Sequence, residues 1–444
     1  MPSALDDVAP CPPPAAQRLS RLLADLRDED GRTTAAFAGL RLDSHFQPIY
    51  SLSHARVVGH EALLRAADGD GRPVPPPQVF DACRDERELV HCDSLSRLVH
   101  LANYSSRAGD GQWLFLNMHP QSLPRLALPD APAYLDAVSR RFGLPGHRMV
   151  LEVLETAASD GPEFADAMAL ARAQGCLIAI DDFGAGHSNF DRVWRLQPDV
   201  VKLDRSLTMR AAQDARAGRV VAQMASLLHE CGALVLMEGV EDEAAALMAM
   251  EADADLVQGW HFGRPQAQPR PSGHAPDELT RLPRAFAALR HGQRRRHREA
   301  IAPYLNAIGH AGVLLSAGRP MEEACGPFLQ LPRAQLCYRL DEDGYQVQCN
   351  LWAPGGQASP HPGHEPLRDA RGACWVRRPY FRRAMEAPQK VQVTRPYRSL
   401  HGSRMCTTVS VAYRPPVPAG QPPRWEVVCG DIDWDGEPQD GLPG

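Results

Sequence analysis

Eight short apolar runs, each with a polar or charged residue within or near its end, constrain this chain more than any other feature. They are HFQPIYSL (45–52), RVVGHEALLR (56–65), WLFLNM (113–118), MVLEVLE (149–155), LIAID (177–181), DVVKLD (199–204), ALVLMEG (233–239) and LVQGWHF (256–262). From the second run onward, stretches with helical spacing separate them, such as Leu89, Leu95, Leu98 and Leu101, or Met224, Leu227 and Leu228. Eight strands alternating with helices predict a closed (β/α)8 barrel. The first connection, SLSHA, is shorter than the dozen or so residues that a parallel crossover needs, so the first strand is expected to run antiparallel to the second.

The interrupting residues are Gln47, Glu61, Asn117, Glu152, Asp181, Lys202, Glu238 and Gln258. A core strand has no structural use for them, because an unpaired charge in an apolar setting is costly. One strand-end acid is ordinarily a solvated rim residue. Eight at matching places in a barrel converge on one mouth, where barrel enzymes keep their chemistry. In IAIDDFGAGHSNF (178–190) two adjacent acids end an apolar run and a glycine loop follows. Taken alone, this stretch reads equally as a polar turn or as a cation site beside a mobile loop. As part of the eight, Asp181 and Asp182 join a carboxylate cluster. Glu61, Glu152, Asp181, Asp182 and Glu238, with the Asn117 amide oxygen, are hard donors with no thiolate or imidazole at similar positions. That set favours Mg2+ or Mn2+ over zinc. Five acids exceed the charge of one divalent ion, so two ions about 4 Å apart are expected, an arrangement suited to phosphoester hydrolysis. Lys202 would add positive charge and orient the attacking water.

With HEALLR (60–65), QPI (47–49), LNMHPQSL (116–123), LEVLE (151–155), DDFGAGHSN (181–189), VVKLDR (200–205), MEGVE (237–241) and QGWHFGRP (258–265), residues 41–268 resemble an EAL-domain cyclic-di-GMP phosphodiesterase. The resemblance implies a modified TIM barrel with an antiparallel first strand, hydrolysis of cyclic di-GMP to linear pGpG with Mg2+ or Mn2+, and a homodimer. It implies metal ligation by Glu61, Asn117, Glu152, Asp181 and Asp182, with Glu238 supporting the second ion. Lys202 and Gln258 would place the nucleophilic water. Leu63, Arg65, Asp182 and Gln47 would meet the substrate, Arg65 through a phosphate oxygen and Gln47 near a guanine. Glu155 and Glu241 would support the glycine loop. Departures from the usual pattern, at Leu154, Ala185, His187, Asn189, Trp260 and His261, avoid the ligands. The alternative is a catalytically idle cyclic-di-GMP receptor acting through protein contacts; degraded metal ligands are the usual mark of such members, and none is degraded here.

The net charge of −6 over 444 residues disfavours a general nucleic-acid binder. No stretch reaches the roughly 18 apolar residues of a membrane span. The opening MPSALDDVAPCPPP lacks the basic start and apolar core of a signal peptide, so a cytoplasmic protein with eleven reduced cysteines is expected. Four regions are predicted: a partly disordered segment 1–40 with a short helix at RLSRLLADLR, the barrel at 41–268, a connecting helix at 269–306, and a regulatory α+β domain at 307–444. The basic run GQRRRHRE (292–299) reads as a solvated helix face. In the last region CYRLDEDGYQVQCNLWAP predicts two strands around an Asp-Gly turn, CWVRRPYFRRAME a short helix, VQVTRPYRSLHGSRMCTTVSVAYR a hairpin, and WEVVCGDIDW a final strand. This order resembles Cache or PAS-like sensor domains. By that resemblance Arg378, Tyr380 and Tyr397 would line a pocket for an unknown small ligand, while the six cysteines there read as apolar packing.

Overall fold

The computed structural model describes residues 15–105, 111–155, 162–186, 190–355, 370–399, 405–418, 420 and 422–434. The chain divides into two compact units, Met1–Phe286 and Ala287–Gly444. In the first, eight strands close a barrel: β1 Leu40–Ser51, β2 Arg56–Ala67, β3 Trp113–Asn117, β4 Met149–Leu154, β5 Leu177–Phe183, β6 Val200–Leu203, β7 Leu234–Met237 and β8 Leu256–Val257. Going round the ring, β1 meets β8, then β7 down to β2, and β2 returns to β1. Strand β1 is antiparallel to both neighbours, β2 and β8, and every other pairing in the ring is parallel. The short turn after Ser51 enforces this, since only a hairpin can be closed with so few residues.

The barrel interior is built by the two-residue period of a strand. Ile49, Phe115, Val150, Ala179, Val200, Leu236 and Leu256 form one buried apolar layer. Two residues further toward the mouth on each strand, and two residues back on the reversed β1, stand Gln47, Asn117, Glu152, Asp181, Lys202, Glu238 and Gln258. Strand β2 contributes Gly59 to the apolar layer and Glu61 to the polar one. A Cβ at Gly59 would meet Trp113 O at 2.9 Å and Phe115 Cε2 at 3.3 Å, so the missing side chain makes room for the Phe115 ring. The opposite face of β2 carries Ala62, Leu64 and Ala66 into the main core, where helices such as Glu86–Ser105 pack Leu95, Leu98, Val99 and Leu101.

Both edges of the barrel differ from expectation. The N-terminal helix spans Ala15–Ala24 and stops before Leu26, where RLSRLLADLR was expected to continue. Leu26–Glu29 and Arg32–Phe37 then form an antiparallel hairpin that pairs onto β1 through Ala35 and Leu42. Its two-residue turn, Asp30-Gly31, has φ of 53° and 74°, the positive pair that a type I′ turn requires and that Asp-Gly supplies. Residues 26–39 therefore extend the barrel sheet. At the other end, residue 268 falls short of the unit. The backbone N–H of Arg270 donates to His60 Nε2 at 2.9 Å, its guanidinium donates to Tyr50 Oη at 3.1 Å, and Leu279 and Leu282 belong to the barrel's core. The helix expected at 269–306 spans Asp277–Ser316, and its Arg294, Arg295 and Arg296 are exposed.

The second unit is α+β. Its sheet contains β9 Ala334–Leu340, β10 Leu351–Trp352, β11 Gln392–Val393, β12 Tyr397–Arg398, β13 Met405–Tyr413 and β14 Glu426–Asp433, in the order β10-β9-β14-β13-β11 with β12 also on β13. All pairings are antiparallel. One cluster packs Ile301, Tyr304, Ile308 and Phe328 with Val409, Val411 and Val428; another packs Tyr380, Phe381 and Ala384 of the helix Pro379–Glu386 with Leu336, Leu340, Ala412 and Val427. Of the cysteines here, Cys325, Cys337, Cys406 and Cys429 are buried, whereas Cys349 and Cys374 are exposed and do not fit the expected apolar packing. The Asp-Gly turn after β9 is present, but the strand expected directly after it shrinks to Leu351–Trp352.

Candidate active site

The polar layer of the barrel converges on one ammonium group. Lys202, only 1% exposed, places Nζ 2.6 Å from Glu152 Oε1, 2.8 Å from Glu238 Oε1, 2.9 Å from Asp181 Oδ1 and 3.7 Å from Glu61 Oε2. Burial works against its charge, but the four carboxylates together overrule burial and hold the ammonium well above its ordinary range. Glu61 is fixed from both sides, accepting from Asn117 Nδ2 at 3.1 Å and from Gln258 Nε2 at 2.7 Å. Gln47 lies opposite Glu61 in the β1–β2 ladder. A cleft of about 270 Å³ opens above, lined by Gln47, Glu61, Asp181, Asp182, Lys202, Glu238 and Gln258 among others.

Adjacent residues on a regular strand face opposite ways, so Asp181 and Asp182 need a special backbone to share a site. The β5–β6 ladder breaks register between Ile180 and Phe183, and Asp182 adopts φ of 56°, a conformation rare for a residue with a side chain. One carboxylate oxygen each from Asp181, Asp182 and Glu238 then lie within 4.8 Å of one another.

These residues fit a hard divalent cation. Glu152 Oε1 lies close to Lys202 Nζ, yet both Glu152 oxygens and Asp181 Oδ1 are buried without a properly angled hydrogen bond. Five acids surround one lysine, and the excess negative charge needs either protons or cations. Glu61, Glu152, Asp181, Asp182 and Glu238 would hold such an ion. The Asn117 amide spends its N–H on Glu61 and keeps its oxygen for a cation.

Without a cation the acids take up protons. Burial pushes Glu152 well above the usual carboxylate range and Glu238 up to about 7, Lys202 opposing both; burial and the neighbouring Asp181 raise Asp182. The folded value of Glu238 lies above its ordinary 4.5, so its stabilising contribution is complete below about 4.5 and is lost as pH rises through about 7. In chelator, the urea midpoint should therefore fall between about pH 4.5 and 7, and Mg2+ should flatten this dependence. Glu238→Gln should reduce the slope. An unaltered slope in both experiments would place the titration elsewhere, for example at Asp431, whose carboxyl burial also pushes up to about 7.

The other expected residues fall at varied distances from the cluster. Leu63 and Arg65 follow Glu61 on the same face of β2 and are each half-buried, but neither lines the cleft. The Arg65 guanidinium donates to Leu64 O at 2.9 Å. Glu155 is 5% exposed and accepts from Gly184 N at 3.5 Å, at the root of the glycine loop. His187 and Asn189 lie outside the described residues. Glu241 pairs with Arg205 at 2.9 Å, and both line the cleft. Arg205 and Trp260 also line the cleft and had no assigned role. Trp260 is 50% exposed, with the Arg264 guanidinium 4.3 Å from its ring centroid and that of Arg205 at 6.0 Å. The Arg directly after the Lys-Leu-Asp of VVKLDR was the available signal for the first.

The EAL domain family matches residues 32–265. The chain is 31% identical over 256 residues to an uncharacterized protein of Azorhizobium caulinodans, covering 56% of this chain and 34% of that one. It is 27% identical over 232 residues to the cyclic di-GMP phosphodiesterase RocR of Pseudomonas aeruginosa, covering 51% of this chain and 58% of that one. The matches thus span from about a third to somewhat over half of these relatives' lengths. The solved structure of the Bacillus subtilis YkuI protein, with an EAL domain, in complex with substrate c-di-GMP and calcium, aligns with a TM-score of 0.73 at 19% identity, covering 95% of this chain and 99% of that one. At that identity the likeness is one of fold, and it takes in both units. No helix among the described residues is long and apolar enough to cross a membrane. With more than half of its length matched by the domain and the motif residues gathered at one barrel mouth, the chain belongs to the EAL-domain family.

Proposed function

We propose that this chain hydrolyses cyclic di-GMP to linear pGpG with Mg2+ or Mn2+, two ions per site, and that its second unit regulates the reaction. The single observation that carries the reading is the ring of acids around the one Lys202 ammonium, with Glu152 Oε2 buried and without a partner. Divalent ions held there would lower the pKa of a bound water and offset charge developing on phosphate.

The chain's own residues supply positioning. Gln258 donates to Glu61 and keeps a buried Oε1 without a partner, an acceptor for one proton of a water. Lys202 holds Glu152, Asp181 and Glu238 in place and contributes a fixed positive charge. Arg65 carries a guanidinium suited to a phosphate oxygen, and Trp260 offers a flat, half-exposed ring at the lip on which a base can stack.

The test is incubation of the purified full chain with cyclic di-GMP and Mg2+ or Mn2+, followed by chromatography of the products. Linear pGpG should form, and replacement of the ion by Ca2+ should suppress it, because Ca2+ accepts longer bonds and looser geometry. Tight binding of cyclic di-GMP with no linear product under either ion would establish a receptor instead.

A further inference from the structure

Arg378, Tyr380 and Tyr397 line one small pocket of the second unit together with Asp431, and that pocket belongs to the sensor resemblance. A separate feature of the unit serves neither that resemblance nor the barrel chemistry. Along the helix Asp277–Ser316 no Asp or Glu occurs from Arg281 to Arg298, and the second unit's share of this stretch carries Arg290, Arg294, Arg295, Arg296 and Arg298. Residues four apart on a helix are neighbours, so Arg290, Arg294 and Arg298 form a like-charged row that works against the helix bearing it. Of the five arginines only Arg295 has an acid four residues away, Glu299, at 3.8 Å with both side chains mostly exposed. Arg294, Arg296 and Arg298 have no carboxylate within 4.0 Å among the described residues.

The packing of the helix shows which way these side chains point. Ile301 is buried in the unit's core, and the His297 ring meets Trp434 edge-on at 5.0 Å, which fixes the inward side. Arg294, Arg295, Arg296 and Arg298 are all exposed. At about 100° per residue they fan over roughly 200° of the circumference on the other side, within about 6 Å along the axis. None of the large apolar side chains exposed among the described residues lies between 287 and 300. The face therefore offers charge and nothing that would insert into hydrocarbon.

Such a face is complementary to a dense sheet of phosphates. We propose that it docks the chain on an anionic phospholipid membrane, at the level of the headgroups. Clusters of about four to eight basic side chains on a helix are what such a surface holds by charge. Long arginine stems let Arg294 and Arg296, on the two flanks, lie down to the plane that Arg295 and Arg298 meet, where guanidiniums make charge-assisted hydrogen bonds to phosphate oxygens. Proteins held on a duplex by charge spread several phosphate contacts along its backbone, whereas these four arginines sit within about one and a half turns of a single helix. The chain's net charge of −6 opposes any wider contact with a polyanion and confines the hold to this face.

The test is sedimentation of the purified full chain with vesicles of equal parts phosphatidylglycerol and phosphatidylcholine, against vesicles of phosphatidylcholine alone. No metal or nucleotide enters the assay, so failure of the hydrolytic reading leaves the result unaffected. The chain should partition to the anionic vesicles about tenfold or more above the neutral ones. Salt at about 0.5 M, where the Debye length is a few ångströms, should release it. Joint Arg294→Gln, Arg295→Gln, Arg296→Gln and Arg298→Gln should cost about tenfold or more. The same four positions changed to Lys should bind within about threefold of the natural chain, because a plane of headgroups reads charge rather than the guanidinium fork. All four side chains are exposed, and circular dichroism checks the fold of each variant. Equal partition to both kinds of vesicle overturns the proposal. So does binding that survives the glutamine substitutions or is lost with lysine. Capture of a DNA duplex at about 0.15 M salt, with anionic vesicles left unbound, assigns the face to nucleic acid instead.

Discussion

Glu61→Ala is expected to lower cyclic-di-GMP turnover by more than about 100-fold, beyond the range typical of residues that only support a metal ligand. The carboxylate is held by Asn117 and Gln258 from two other strands and faces Lys202, so its loss removes a cation ligand and unties both amides at once. Asp181→Asn should act as strongly while keeping the side chain's shape, because it withdraws a charge from the point where Asp182 and Glu238 also converge. Arg65→Ala, whose guanidinium lies outside the cleft lining, should mainly raise KM and leave metal affinity intact. Steady-state kinetics with product analysis, alongside metal titration of each variant, separates these outcomes. Near-native rates in Glu61→Ala would place the chemistry on other residues.

Lys202→Met should destabilise the barrel unit of the ion-free chain by about 3–5 kcal/mol, the cost of breaking a buried ion pair from one side. Lys202 has this leverage because it is fully buried and faces four acids, of which Glu152 is itself 1% exposed. Without the ammonium the acids must take up protons or lose their packing. Mg2+ should return part of the lost stability by supplying the missing counter-charge. Urea unfolding in chelator and in Mg2+ reads both effects. A wild-type midpoint in chelator would show that protons already neutralise the acids and that Lys202 is not their counter-charge.

The barrel and its polar layer were legible because strand geometry repeats every two residues. A polar residue two steps along from a buried apolar one must share its face, so Val150 implies Glu152 and Val200 implies Lys202 from local pattern alone. The antiparallel β1 was equally local, since SLSHA is too short for any other connection. The hairpin at 26–37 carried its own signal in Asp30-Gly31, but its strands, with LRDE nearly all exposed, lack the apolar alternation that marks a strand. Arg378, Tyr380 and Tyr397 were brought together by the resemblance, but the presence of Asp431 beside them depended on a strand distant along the chain, for which only the side-chain type was readable.

The sequence by itself determined which residues could face the barrel mouth, because that follows from covalent periodicity and the sign of each charge. Only the tertiary structure decided how they act together. The left-handed turn at Asp182 and the broken ladder beside it bring two neighbouring acids to one point, although a regular strand would have sent them to opposite faces. Closure of the ring puts Lys202 at the centre of acids drawn from β2, β4, β5 and the end of β7. Such charges have a shared counter-ion only once the strands are paired, since electrostatic energy depends on distances that no run of residues contains.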